Sequence, residues 1–184
     1  MNSIRAFLAI DIDPEIKQEI FEFLKRMFLH HIGIKWVKPD NLHLTLAFLG
    51  ETPMDKISPL CDMMKKISSR HKAFTIRLSG FGCFPDRKYP RVIWIGVQKS
   101  RPLYNLKKDI DAELDNLGLT YDKKPFLPHL TIGRVKTPAD LKPAIFEVHD
   151  FSASFAASEI HLLKSDLFRD GPVYTDVFTC SLSN

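Results

Sequence analysis

Two segments 86 positions apart, His43-Leu44-Thr45-Leu46 and His129-Leu130-Thr131-Ile132, share one pattern: imidazole, apolar, hydroxyl, apolar. In an extended strand, residues i and i+2 share a face. Each segment therefore presents a histidine and a threonine on one side and two apolar anchors on the other. The repeat reaches further upstream. Phe7-Leu8-Ala9-Ile10-Asp11 precedes Val92-Ile93-Trp94-Ile95-Gly96 by 85 positions, and each run is followed by an amphipathic helix. Each helix leads into a turn region with a proline, Pro39 and Pro125, again 86 apart. A strand–helix–strand unit used twice predicts two similar lobes about a pseudo-twofold axis. That axis brings the two His-x-Thr strands face to face across a cleft. The expected fold is α+β and bilobal, with two mainly antiparallel sheets facing a central cleft and helices outside. Residues 1–184 are expected to form a single two-lobed domain.

The remaining elements follow from local chemistry. Ile4 to Ile10 reads as a strand. Asp13-Pro14-Glu15 opens a helix over 14–29, with an Asp N-cap and Pro at the first helical position. Strands are expected at 34–37 and 42–49, separated by the turn residues 38–41. Apolar residues at three- and four-residue steps predict a second helix over 53–70, which Pro59 blemishes. Residues 74–81 and 91–97 read as strands around a loop at 82–90, and 101–117 as a third helix capped by Gly118. After a loop at 119–128 comes the second His-x-Thr strand, 129–135. A short helix is expected from Thr137 to Ile145, then strand-rich sequence over 151–165 broken near 156–158, a turn at 170–172 and a closing strand over 173–182.

Composition excludes several classes. No apolar run approaches a membrane span, and Ala6 to Ile10 runs straight into Asp11 and Asp13, unlike a signal peptide. Three cysteines, Cys61, Cys83 and Cys180, lack metal-ligand spacing and fit a reducing compartment, so a cytoplasmic location is expected. The net charge of +4 admits an anionic ligand without requiring one. The basic groups Arg87-Lys88 and Lys123-Lys124 read as solvated surface.

Two histidines with two hydroxyls suit phosphodiester chemistry. Hydrolysis needs one group to take a proton from water and another to protonate the leaving oxygen. Imidazole titrates near neutrality and serves either role. In-line displacement puts the attacking and leaving oxygens on opposite sides of phosphorus, which a pseudo-twofold pair of strands can flank. Thr45 and Thr131 are placed to donate to non-bridging oxygens, and Arg134 to stabilise charge on them. No carboxylate cluster accompanies the histidines, so a mechanism without metal or cofactor is expected. His71, His149 and His161 lack a partner motif and read as structural, and His30-His31 as exposed beyond the first helix. Trp36 and Phe48 are either packing residues or surfaces for a base.

The paired His-x-Thr-x segments, with Gly133-Arg134 after the second, resemble the two-histidine phosphoesterase superfamily. Within it the chain is most similar to the RNA 2′,3′-cyclic phosphodiesterases, also called 2′–5′ RNA ligases. The likeness runs from Arg5-Ala6-Phe7 through Trp36-Val37-Lys38 to Gly171-Pro172-Val173-Tyr174. It implies opening of a terminal 2′,3′-cyclic phosphate to a 2′-phosphomonoester, with His43 as proton donor and His129 as acceptor. The spacing by itself leaves those two roles open. It also implies that Tyr174 lies near the cleft, where sequence alone reads an ordinary strand aromatic. The expected partner is RNA with a cyclic-phosphate end or a 2′–5′ linkage, tRNA fragments among them, met by a monomer away from any membrane. Two alternatives stand beside this. One is a phosphodiesterase for small cyclic nucleotides or ADP-ribose cyclic phosphate. The other is an RNA- or nucleotide-binding module without turnover.

Overall fold

A computed structural model describes residues 2–28, 33–136 and 151–183. The short helix expected from Thr137 to Ile145, and His30, His31 and His149, lie outside the described residues. The described elements are β1 Ser3–Asp11, α1 Pro14–Phe28, β2 Ile34–Trp36, β3 His43–Pro53, α2 Ile57–Ser68, β4 Phe74–Phe84, β5 Val92–Val97, α3 Arg101–Asn116, β6 His129–Val135, β7 Ser152–Ala157, β8 Glu159–Phe168 and β9 Gly171–Ser181.

Local chemistry explains most boundaries. The Asp13 carboxylate accepts the Glu15 N–H at 2.9 Å, capping α1. Ser100 caps α3 by accepting the Leu103 N–H, and Gly118 ends that helix at φ +64°. The second helix starts later than expected, because β3 runs on to Pro53 and a 3-10 turn over Met54–Lys56 comes first. Pro59 then falls in the first turn of α2, where a backbone N–H has no intrahelical acceptor, so it costs the helix no hydrogen bond. The strand expected to stop at Phe81 continues to Phe84. Gly82 is no loop residue here. A Cβ at that position would lie 2.2 Å from the Trp94 ring, so the missing side chain lets the indole close onto β4.

The strands form one curled sheet of order β7-β4-β5-β6-β3-β1-β8-β9, with β2 paired to β6, and every pairing is antiparallel. The two sheets expected from sequence are thus hydrogen-bonded to each other, along a thin seam. At that seam β3 and β6 pair only at Leu44↔Leu130. These are equivalent residues of the two repeats, so the pseudo-twofold axis passes between them. Both are buried, at 1% and 0% exposure, and each stabilises the junction by about 1.5–3 kcal/mol.

The symmetry extends to irregularities. Asp11↔His43, Ile10↔Leu44 and Ala9↔Thr45 in one lobe match Gly96↔His129, Ile95↔Leu130 and Trp94↔Thr131 in the other. Each ladder then slips by one residue, at Leu46 and at Ile132, to resume as Leu8↔Ala47 and Ile93↔Gly133. The chain does not build one lobe per half. β4 crosses to pair with β5, and β8 returns to pair with β1, so the lobes exchange their outer strands. Ala6, Leu8, Ile10, Leu44 and Leu130 face a large core shared with Ile20, Leu60 and Leu106 of the three helices. The opposite, concave face carries a small cluster of Phe7, Ala9 and Leu163, with Tyr174 against it.

Candidate active site

The concave face opens into a cleft of about 840 Å³ lined on one side by His43, Thr45 and Tyr174 and on the other by His129, Thr131 and Arg134. All six side chains singled out in the sequence therefore meet in one cavity. The seam register sets their arrangement. With Leu44 opposite Leu130, His43 falls across from Thr131 and Thr45 across from His129. The histidines occupy one diagonal of a four-residue square and the threonines the other. Diagonal neighbours across antiparallel strands lie roughly 7–8 Å apart. Both rings open into the same cavity from opposite corners of that square.

Each ring is held by the backbone two residues before it. His43 Nδ1 donates to the Asn41 carbonyl at 2.8 Å, and His129 Nδ1 donates to the Leu127 carbonyl at 2.7 Å. A carbonyl only accepts, so both rings carry the proton on Nδ1, and Nε2 is the nitrogen left for the cleft. Aromatic rings clamp them further. His43 packs on Phe7 at 4.8 Å and meets Tyr174 edge-on at 5.1 Å, while His129 meets Phe84 edge-on at 4.8 Å. This apolar surround disfavours the charged ring. Burial lowers the His43 pKa to about 4, against the partial offset of its backbone bond to Asn41 and of nearby Asp11. Burial lowers the His129 pKa as well. Tyr174 is pushed up by burial, with Arg134 and Arg5 opposing.

His43 makes a stability prediction. Its folded pKa lies below the unfolded value near 6.5, so its contribution is complete above pH 6.5 and lost as pH falls towards 4. The loss over that window should be on the order of 3 kcal/mol. Denaturant midpoints measured from pH 7 to 4 should fall less steeply in His43→Gln than in the parent. Parallel curves would show that the buried ring does not resist protonation.

Arg134 reaches the cleft because of the slip at Ile132. Strict alternation from His129 would put residue 134 on the helix side of the sheet. One extra residue reverses the faces, as bulges commonly do beside active sites. The equivalent slip at Leu46 brings Phe48, the twofold mate of Arg134, to the cleft wall at 48% exposure. One diagonal end thus carries a cation and the other an aromatic ring. Trp36 lies over Gly133, where a Cβ would come within 3.0 Å of its ring, and also lines the cleft. Among the described residues no three His, Cys, Asp or Glu side chains are placed to hold a metal ion.

Other histidines sit elsewhere. His71 Nε2 bonds Asp109 at 2.9 Å and ties the turn after α2 to α3. His161 Nδ1 bonds Asp176 at 2.8 Å across β8 and β9. Sequence reasoning missed Asn41, Leu127, Asp11 and Phe84, and also Lys35, which lines the cleft. Asn41 and Leu127 act through backbone carbonyls, which no residue type announces. The repeat itself held a signal, since both stand two places before a motif histidine. Among the described residues no helix is long and apolar enough to cross a membrane.

The chain matches the family model LigT like Phosphoesterase twice, over residues 10–94 and 95–174. An RNA 2′,3′-cyclic phosphodiesterase of Thermotoga maritima is 34% identical over 178 residues, covering 96% of this chain and 95% of its own. Another from Methanocaldococcus jannaschii is 39% identical over 175 residues, covering 93% and 96%. The crystal structure of E. coli LigT complexed with 3′-AMP superposes with a TM-score of 0.84 at 31% identity, covering all of both chains.

Proposed function

The chain belongs to the LigT-like phosphoesterase family, and from that premise we propose that its cleft hydrolyses the terminal 2′,3′-cyclic phosphate of RNA to a 2′-phosphomonoester. The observation that carries the reading is the diagonal pair of rings, each fixed through Nδ1 and both lining one cleft. Water attacks phosphorus, and His129 Nε2 takes its proton. The bond from phosphorus to O3′ breaks, and His43 Nε2–H gives its proton to O3′. Phosphate stays on O2′. Both rings are neutral near pH 7 in the free protein, so the proton on His43 is held by the charge of the bound phosphate. Asp11, opposite His43 in the β1–β3 ladder, favours the charged ring there. Thr45, Thr131 and Arg134 engage the non-bridging oxygens. A ribose 5′-hydroxyl in place of water gives a 2′–5′ linkage by the same steps.

Product analysis tests the proposal. An oligonucleotide ending in a 2′,3′-cyclic phosphate should yield only the 2′-phosphate, and 10-fold molar excess of chelator (roughly, over total divalent ion) should leave the rate unchanged, because both proton transfers belong to imidazoles. A 3′-phosphate product would reverse the assigned leaving group. Loss of turnover on chelation, restored by one divalent ion, would replace the metal-free mechanism.

A further inference from the structure

The β8–β9 hairpin carries an apolar tip that the phosphate chemistry does not use. β1 pairs with β8 only from Ala6↔Lys164 to Ala9↔His161, whereas β8 and β9 stay paired out to Phe168↔Gly171. The hairpin thus extends past the sheet. Its tip exposes Leu167 at 65%, Phe168 at 63% and Val173 at 51%. Leu167 lies on the opposite face of the hairpin, whereas Phe168 and Val173 share a face and line the cleft, and apolar side chains displayed together next to a cleft mark a contact surface.

Two contacts fix the tip against the catalytic side. Asn41, whose carbonyl holds His43, also donates its side-chain N–H to the Pro172 carbonyl at 2.9 Å. A Cβ at Gly171 would lie 3.6 Å from Lys35 Nζ, so that ammonium sits at the turn. Phe168 and Val173 line the same cleft as the histidines, together with Lys35 and Lys38. The Phe168↔Gly171 pair stands three residues beyond Tyr174, about 10 Å along the strand. An exposed aromatic next to cations, one short step from a phosphate site, is the composition of a single-strand stacking platform.

We infer that the hairpin tip, through Phe168, stacks the nucleobase upstream of the terminal nucleotide, with Lys35 and Lys38 facing the connecting phosphate. The inference rests on the activity proposed above. It assigns the protein to single-stranded RNA ends in preference to mononucleotides. The surface is continuous with the cleft and its cations complement an RNA backbone, which favours RNA over a second protein chain.

The test compares kcat/KM for three substrates: a nucleoside 2′,3′-cyclic phosphate, a dinucleotide with that end, and the same dinucleotide with an abasic upstream position. The parent should favour the intact dinucleotide over the mononucleotide by about tenfold, and the abasic form should lose that preference. In Phe168→Ala the dinucleotide-to-mononucleotide ratio should collapse to that of the abasic substrate, and Phe168→Trp should restore it. A ratio unchanged in Phe168→Ala, or a parent blind to the upstream base, would overturn the platform while leaving the cyclic-phosphate activity in place. A shift of the parent to dimer at assay concentration, lost in Phe168→Ala, would assign the tip to self-association instead. No turnover of any of the three would remove the activity itself, a separate result.

Discussion

Replacing either His43 or His129 by alanine is expected to lower turnover of a cyclic-phosphate substrate by about 10²–10⁴-fold, the usual worth of a positioned general acid or base. The double variant should lose less than the product of the two single losses, because donor and acceptor serve one transition state. Geometry gives this prediction its force. Each ring is fixed by a carbonyl two residues upstream and by an aromatic edge, so each Nε2 is held in place towards the cleft. The pH dependence adds a second readout. The couple needs one ring charged and one neutral, so kcat/KM should follow a bell bounded by the two free-protein pKa values. Burial holds both below the ordinary 6.5, with His43 at about 4, so the bell should peak on the acid side of 6.5. In kcat, the bound phosphate should move the bell to higher pH. Purely structural histidines would give a flat profile and variants that lose stability without losing rate per folded molecule. If either single variant keeps parental turnover, the histidine pair is not the acid–base couple.

Much of this site was legible in the sequence because duplication made a weak motif strong. One His-x-Thr is ordinary strand sequence; two at one repeat spacing specify a shared face, an axis and a cleft. The helices were legible through their caps, Asp13 and Gly118. What escaped depends on backbone approach and on long-range pairing. Gly82 reads as a breaker until Trp94, twelve residues on, is placed against it. The exchange of β4 and β8 between lobes leaves no local trace, since both strands alternate in the same way whichever neighbour they join. The union of two sheets into one rests on a single residue pair, Leu44↔Leu130, which apolar patterning alone does not distinguish from simple burial. Asn41 looked like turn chemistry. Its part in the site comes from a main-chain oxygen on one ring and an amide on a hairpin 131 residues away.

Arg134 shows how duplication is turned into direction. Its twofold mate is Phe48, and the slips at Ile132 and Leu46 bring both to the cleft. A symmetric pair of rings treats the attacking and leaving oxygens alike. A guanidinium at one of two equivalent positions and a phenyl ring at the other do not, and the guanidinium lies near enough to act electrostatically on both His43 and Tyr174. Arg134→Ala should therefore lower kcat/KM by about 10²–10³-fold, the magnitude associated with removing one preorganised donor from a developing oxyanion. Arg134→Lys should recover only part of the loss, because an ammonium keeps the charge without the planar fork that fits two phosphate oxygens. If the guanidinium acts on the transition state, kcat should carry most of the deficit. If it only captures the phosphate, KM should rise with kcat intact. Phe48→Ala, at the equivalent position without a charge, should cost far less in kcat. An Arg134→Ala variant within threefold of the parent (roughly 0.65 kcal/mol) would mean that the slip at Ile132 aims this side chain past the phosphate, and that the histidines and threonines stabilise its charge unaided.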